Sequence, residues 1–105
     1  MKRCLLRPLA RKDRRDEVRY YRNEAGARTA AKLVQALKEA LLTLQQQPGI
    51  GSPLLGQELG ITAMRTWRVD GFPLVFWYFE RETHIDIARL VGQRQDVTDI
   101  DVHPG

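Results

Sequence analysis

MRTWRVDGFPLVFWYF, residues 64–79, decides the fold class, because it holds two strand-like runs around one turn signal. Residues 63–69 alternate, with Ala63, Arg65, Trp67 and Val69 on one face and Met64, Thr66 and Arg68 on the other. Asp70-Gly71 is a hairpin pair, since glycine enters the left-handed region at no steric cost. In the second strand, Leu74 to Phe79, Phe76 and Tyr78 oppose Val75, Trp77 and Phe79. Both faces of this strand are apolar or aromatic. One is expected to pack on helices. The other is expected to lack any covering element, and a bare apolar face of that kind marks a protein interface more often than a catalytic pocket.

Outward from the hairpin, residues 80–83 make a turn and His84 to Val91 a third strand, with Ile85 and Ile87 on one face. The tail GQRQDVTDIDVHPG is polar and is expected to end loosely. Upstream, Ala30, Leu33, Val34, Leu37, Leu41 and Leu44 recur at three- and four-residue spacing, which predicts a helix over 28–44 with one buried face. Gly26 separates it from a second helix-permissive stretch, 9–24. There the stripe is thin: Ala10, Val18 and Tyr21 share a face with Arg14. KRCLLR, residues 2–7, reads as a short strand stopped by Pro8, and QQQPGIGSP, 45–53, as an irregular loop. LLGQELGITA has no clear period and reads as loop with one helical turn. The order gives an α+β fold: an N-terminal strand, an antiparallel helical hairpin, then a three-stranded antiparallel meander.

The chain has 105 residues, a length that suits one domain over 1–105. Hydrophobic residues at 43% and charged residues at 29% place it among globular rather than disordered chains. A net charge of +4 favours nucleic acid or an acidic protein without choosing between them. Much of the excess lies in RPLARKDRRDEVRYYR, residues 7–22, which reads first as a solvated helix face and second as a nucleic-acid patch. The single cysteine, Cys4, allows no internal disulfide and reads as a small buried hydrophobe; with no run long enough to span a membrane, a cytoplasmic location is expected.

Chemistry is sparsely signalled. His84, His103 and Cys4 have no metal-ligand spacing, so no metal is expected. GIGSPLLGQELG lacks the Lys-Ser/Thr of a phosphate loop, and Ser52 lacks a nucleophile elbow, so no cofactor or hydrolytic serine is expected. An RNase would need cations and a proton shuttle. Arg65, Arg68, Arg89 and Arg94 could supply the first, but arginine is a poor shuttle and His84 is the only placed imidazole. Trp67 and Trp77 could stack on bases or simply fill a small core.

The sequence resembles the ParE branch of the RelE/ParE toxin superfamily. The resemblance is carried by Ala10 and Asp13, Tyr21, Ala30 with the Leu33/Leu37 stripe, Pro48 with Gly51, the Arg-x-Trp-x-Val-x-Gly-Phe-Pro order of residues 65–73, and IDIARLVGQRQD. It covers nearly the whole chain and departs at Arg14, where an apolar residue is usual. It implies a toxin of a bacterial toxin–antitoxin module, neutralised by a ParD-like antitoxin whose disordered segment folds over it. Leu33, Leu37 and Leu41 are the expected antitoxin-groove residues. Arg65, Trp67, Arg68, Tyr78, Arg89 and Arg94 are the expected contacts to target or antitoxin. ParE-like toxins are associated with DNA gyrase, RelE-like toxins with ribosome-dependent mRNA cleavage. LVGQRQDVTDIDV carries no Tyr, Lys or His before His103, and Asp96, Asp99 and Asp101 would repel RNA phosphate. The expected action is therefore non-catalytic binding to gyrase, without sequence-specific nucleic-acid contact. An mRNA endonuclease and a non-toxic binding module of the same fold are the rivals.

Overall fold

The computed structural model describes residues 1–105. The stripe in residues 28–44 forms the longer arm of a helical hairpin, α1 over Pro8–Ala25 and α2 over Ala27–Gln46. Gly26 alone joins them at φ 92°, a conformation that favours glycine. Pro8 opens α1, where its missing N–H costs nothing. α2 buries Ala30, Leu33, Ala36, Leu37, Ala40 and Leu44, whereas α1 buries only Ala10 completely. Val18 and Tyr21 add partial cover, so the thin stripe of α1 is real.

The strands β1 (Arg3–Leu6), β2 (Arg65–Arg68), β3 (Leu74–Glu80) and β4 (His84–Gly92) lie in the order β1-β4-β3-β2. β2, β3 and β4 form the expected antiparallel meander. β1 runs parallel to β4, with Arg3 opposite His84 and Leu6 opposite Ile87, which makes the sheet mixed. Along the β3–β4 ladder Trp77 faces Arg89 and Tyr78 faces Ile87, so Ala88 is an extra, bulged residue. The bulge resets the alternation of β4. Ile85, Ile87 and Leu90 join the helix-side core, while Ala88 and Val91 pack on the opposite face.

That opposite face is not bare, which overturns the expectation of an uncovered apolar surface. Met64, Trp77, Phe79, Ala88 and Val91 form a second core there, all at least 96% buried. Leu55, Leu59 and Ile61 cover it from the short helix α3 (Leu54–Leu59) and the turn that follows. The other cover is the C-terminal segment, through Val97, Ile100 and Val102. The tail is thus docked rather than loose; its aspartates hide an apolar alternation. A Cβ on Gly56 would lie 2.6 Å from the Met64 carbonyl, so only glycine lets α3 approach β2 this closely. No helix is long and apolar enough to cross a membrane.

Candidate functional site

α1 and α2 leave an open groove of about 440 Å³ between them. Val18, Val34, Leu37 and Leu41 give it an apolar floor; Arg14, Arg15, Arg19, Arg22 and Lys38 give it basic walls, with no acidic residue. Residues 14, 18 and 22, and residues 15 and 19, stack along one side of α1 because they are four apart. None of the five cations pairs with a carboxylate. Like charges at this spacing cost a few tenths of a kcal/mol per pair, about 0.2–0.5, and an anionic partner would reverse that cost. Lys38 is the one lining side chain that could move a proton, and no carboxylate or imidazole lines the groove beside it. Its chemistry is that of a cradle for an amphipathic, acidic segment.

Of the three leucines expected here, Leu37 and Leu41 line the groove, but Leu33 is fully buried in the core. Its place is taken by Val34, which is 36% exposed. The α1 wall, Arg14 to Arg22, escaped the sequence reading although its charge run was visible. What identifies it is the apolar floor beside it, which only the packing of two helices creates.

The other expected contact residues do not gather. Tyr78 is fully buried. Its hydroxyl donates to the Pro48 carbonyl at 2.7 Å and accepts from the Gly51 N–H at 2.9 Å, tying the 48–51 turn to β3. Tyr78 is therefore a structural anchor in place of the expected surface contact, and burial raises its phenol pKa. Arg65 donates to the Gly51 carbonyl at 2.7 Å and closes the same loop. Trp67 is half-buried against the helix-side core, and Arg68 is exposed on the β2 edge.

Arg89 and Arg94 belong to α1 instead, held one helical turn apart. Arg89 donates twice to Asp13, and the guanidinium is raised in pKa by that hydrogen bond. Arg94 lies 4.1 Å from the ring centroid of Tyr20 and 3.7 Å from Glu17. Arg65, Arg68, Arg89 and Arg94 therefore do not gather on one sheet face. His84 is half-buried at the start of β4 with Nδ1 3.1 Å from the Thr83 hydroxyl, and His103 is exposed beside Asp101. Cys4 donates weakly to the Leu41 carbonyl, and burial pushes its thiol up to about 11, far from a reactive thiolate.

On the sheet face away from the hairpin, Asp86 receives Arg7 and Arg81 together. Burial raises this carboxyl, but the two guanidinium groups outweigh it and hold the pKa below the ordinary aspartate value.

Residues 5–97 match the family model described as "ParE toxin of type II toxin-antitoxin system, parDE". Among solved structures, a chain of the "Chromosomal ParDE TA system from P. aeruginosa" superposes with a TM-score of 0.74 at 23% identity, over 88% of this chain and 96% of that one. That likeness supports the shared fold. No curated protein matches the sequence.

Proposed function

The chain belongs to the ParE toxin family of type II toxin–antitoxin systems, and from that premise we propose that it is a toxin acting by binding, with DNA gyrase as target and a ParD-like antitoxin as neutralising partner. The observation that carries the antitoxin reading is the α1–α2 groove, with four apolar floor residues and five unpaired cations. An antitoxin segment with an apolar stripe flanked by Asp and Glu matches it in both shape and charge. The gyrase reading rests on the family and on the scattered arginines: Arg68 and Arg94 remain exposed for a target, while no proton-transfer constellation accompanies them.

Expression in cells tests the target. The expected result is growth arrest with gyrase-dependent DNA breaks and intact transcripts, relieved by co-expression of the antitoxin. Cleaved messenger RNA with undamaged DNA would overturn the gyrase reading in favour of the nuclease. No arrest at all would identify a non-toxic binding module.

A further inference from the structure

The C-terminal segment covers the second core in an unusual manner. No backbone–backbone hydrogen bond links residues 96–105 to the rest of the chain; the two they make, Asp99 to Asp96 and Ile100 to Val97, are internal to the segment. Residues 101–104 are held by three arginine side chains that donate to the carbonyls of Asp101, His103 and Pro104. Arg89 reaches Asp101 O at 3.0 Å, Arg7 reaches His103 O at 2.6 Å, and Arg81 reaches Pro104 O.

Each of these arginines is also fixed from behind by a carboxylate. Asp13 holds Arg89, and Asp86 holds both Arg7 and Arg81. Each guanidinium thus has a carboxylate partner outside the tail as well as a carbonyl within it. Arg7 and Arg81 also lie over the Phe79 ring, at 5.4 and 4.7 Å from its centroid. The result is a preorganised row of donors beside an apolar floor, on the sheet face away from the hairpin groove.

We propose that this face is a second peptide-binding site, for an extended acidic segment with spaced apolar residues, and that the chain's own tail occupies it as an exchangeable pseudo-ligand. The tail states the chemistry of the ligand: DVTDIDV places Val97, Ile100 and Val102 on the floor and Asp96, Asp99 and Asp101 outside. A segment held by side chains and three half-buried apolar residues opens at far lower cost than the paired strands beneath it. Being tethered, it acts at an effective concentration in the millimolar range, so a partner segment must displace it. This site is independent of the groove reading, and its failure would leave that reading intact.

The test is a labelled peptide DVTDIDVHPG added to the full-length protein and to its Ile100→Asp variant, which puts a carboxylate on the apolar floor. The variant is expected to bind the peptide at least tenfold more tightly than the parent, because its own tail competes poorly. Equal binding by both folded proteins would overturn the proposal, as would tighter binding of a labelled oligothymidine than of the peptide. Should Ile100→Asp fail to fold, Val102→Asp, at the half-buried outer end of the same floor, takes its place: the same gain in peptide affinity is expected, and equal binding by parent and variant overturns the proposal.

Discussion

Arg89 and Asp13 close the sheet where β1 ends. The guanidinium donates Nε to Oδ2 at 2.8 Å and Nη2 to Oδ1 at 3.0 Å, and the same carboxylate accepts the Leu90 N–H at 3.0 Å. β1 pairs with β4 only as far as Ile87, apart from one last bond from the Arg7 N–H. Beyond that point Asp13 substitutes for a missing strand. Both side chains are 13% exposed, so the pair is well shielded. Removing one partner strands a buried charge, which costs about 2–4 kcal/mol at this degree of burial. Asp13→Ala and Arg89→Ala are each expected to lower stability by that amount in urea unfolding. An Arg89→Ala protein as stable as the parent would return Arg89 to the pool of free contact residues.

The groove prediction concerns binding alone. Arg15 and Arg19 are exposed and unpaired, so Arg15→Glu with Arg19→Glu should leave stability within about 0.5 kcal/mol. Affinity for an acidic amphipathic peptide should fall at least tenfold, as like charges replace complementary ones. Raising salt should weaken the parent's binding and have little effect on the variant's. Calorimetric titration at two ionic strengths measures both, and unchanged affinity in the variant would remove the groove as the acidic-segment site.

Tyr78 predicts a loss of a different kind. Tyr78→Phe deletes the hydroxyl and leaves the buried Gly51 N–H without its acceptor, at a cost of about 1–3 kcal/mol. Gly51→Ala should be worse, since its Cβ would lie within 2.7 Å of both Tyr78 and the Thr66 carbonyl. Thermal unfolding should show both losses, while the folded Tyr78→Phe protein keeps the parent's peptide affinity in the α1–α2 groove. An affinity loss without a stability loss would mean that Tyr78 touches the partner after all.

Glu17 supplies the pH-dependent case. Its Oε1 is buried without a hydrogen bond, and burial raises its pKa above the ordinary value, with Arg94 opposing. A carboxyl raised in the folded state costs stability wherever it is ionised in both states. That cost vanishes as pH falls through the folded pKa to below the unfolded one. Glu17→Gln should therefore stabilise the protein at pH 7, the advantage shrinking toward pH 4. Urea midpoints at the two pH values check this, and a destabilised variant at pH 7 would show that the Arg94 contact outweighs the burial.

Much of the fold is written in local pattern. The three- and four-residue recurrence in α2, the glycine at 26, the Asp70-Gly71 turn and the alternation through β2 and β3 all appear in the structure where residue spacing puts them. These features depend on neighbours a few positions away, which a sequence displays directly. Even the division of faces in the hairpin, Trp67 and Phe76 toward the helices and Trp77 and Phe79 away, follows from a period of two.

What only the tertiary structure decided depends on residues distant in the chain. The bulge at Ala88 has no local signal, yet it turns Leu90 into the helix-side core and sends Arg89 to Asp13, 76 residues away. Tyr78 looks like a surface aromatic until Pro48 and Gly51 close over its hydroxyl. The tail looks polar because three aspartates are interspersed with its three apolar residues, and the half-buried contacts of Val97, Ile100 and Val102 exist only because a sheet face is there to receive them. The charge run of α1 likewise becomes a groove only when α2 lays Val34, Leu37 and Leu41 beside it. Periodicity fixes which side of an element is apolar; what covers that side is set by long-range packing, where distant segments compete to bury the same surface.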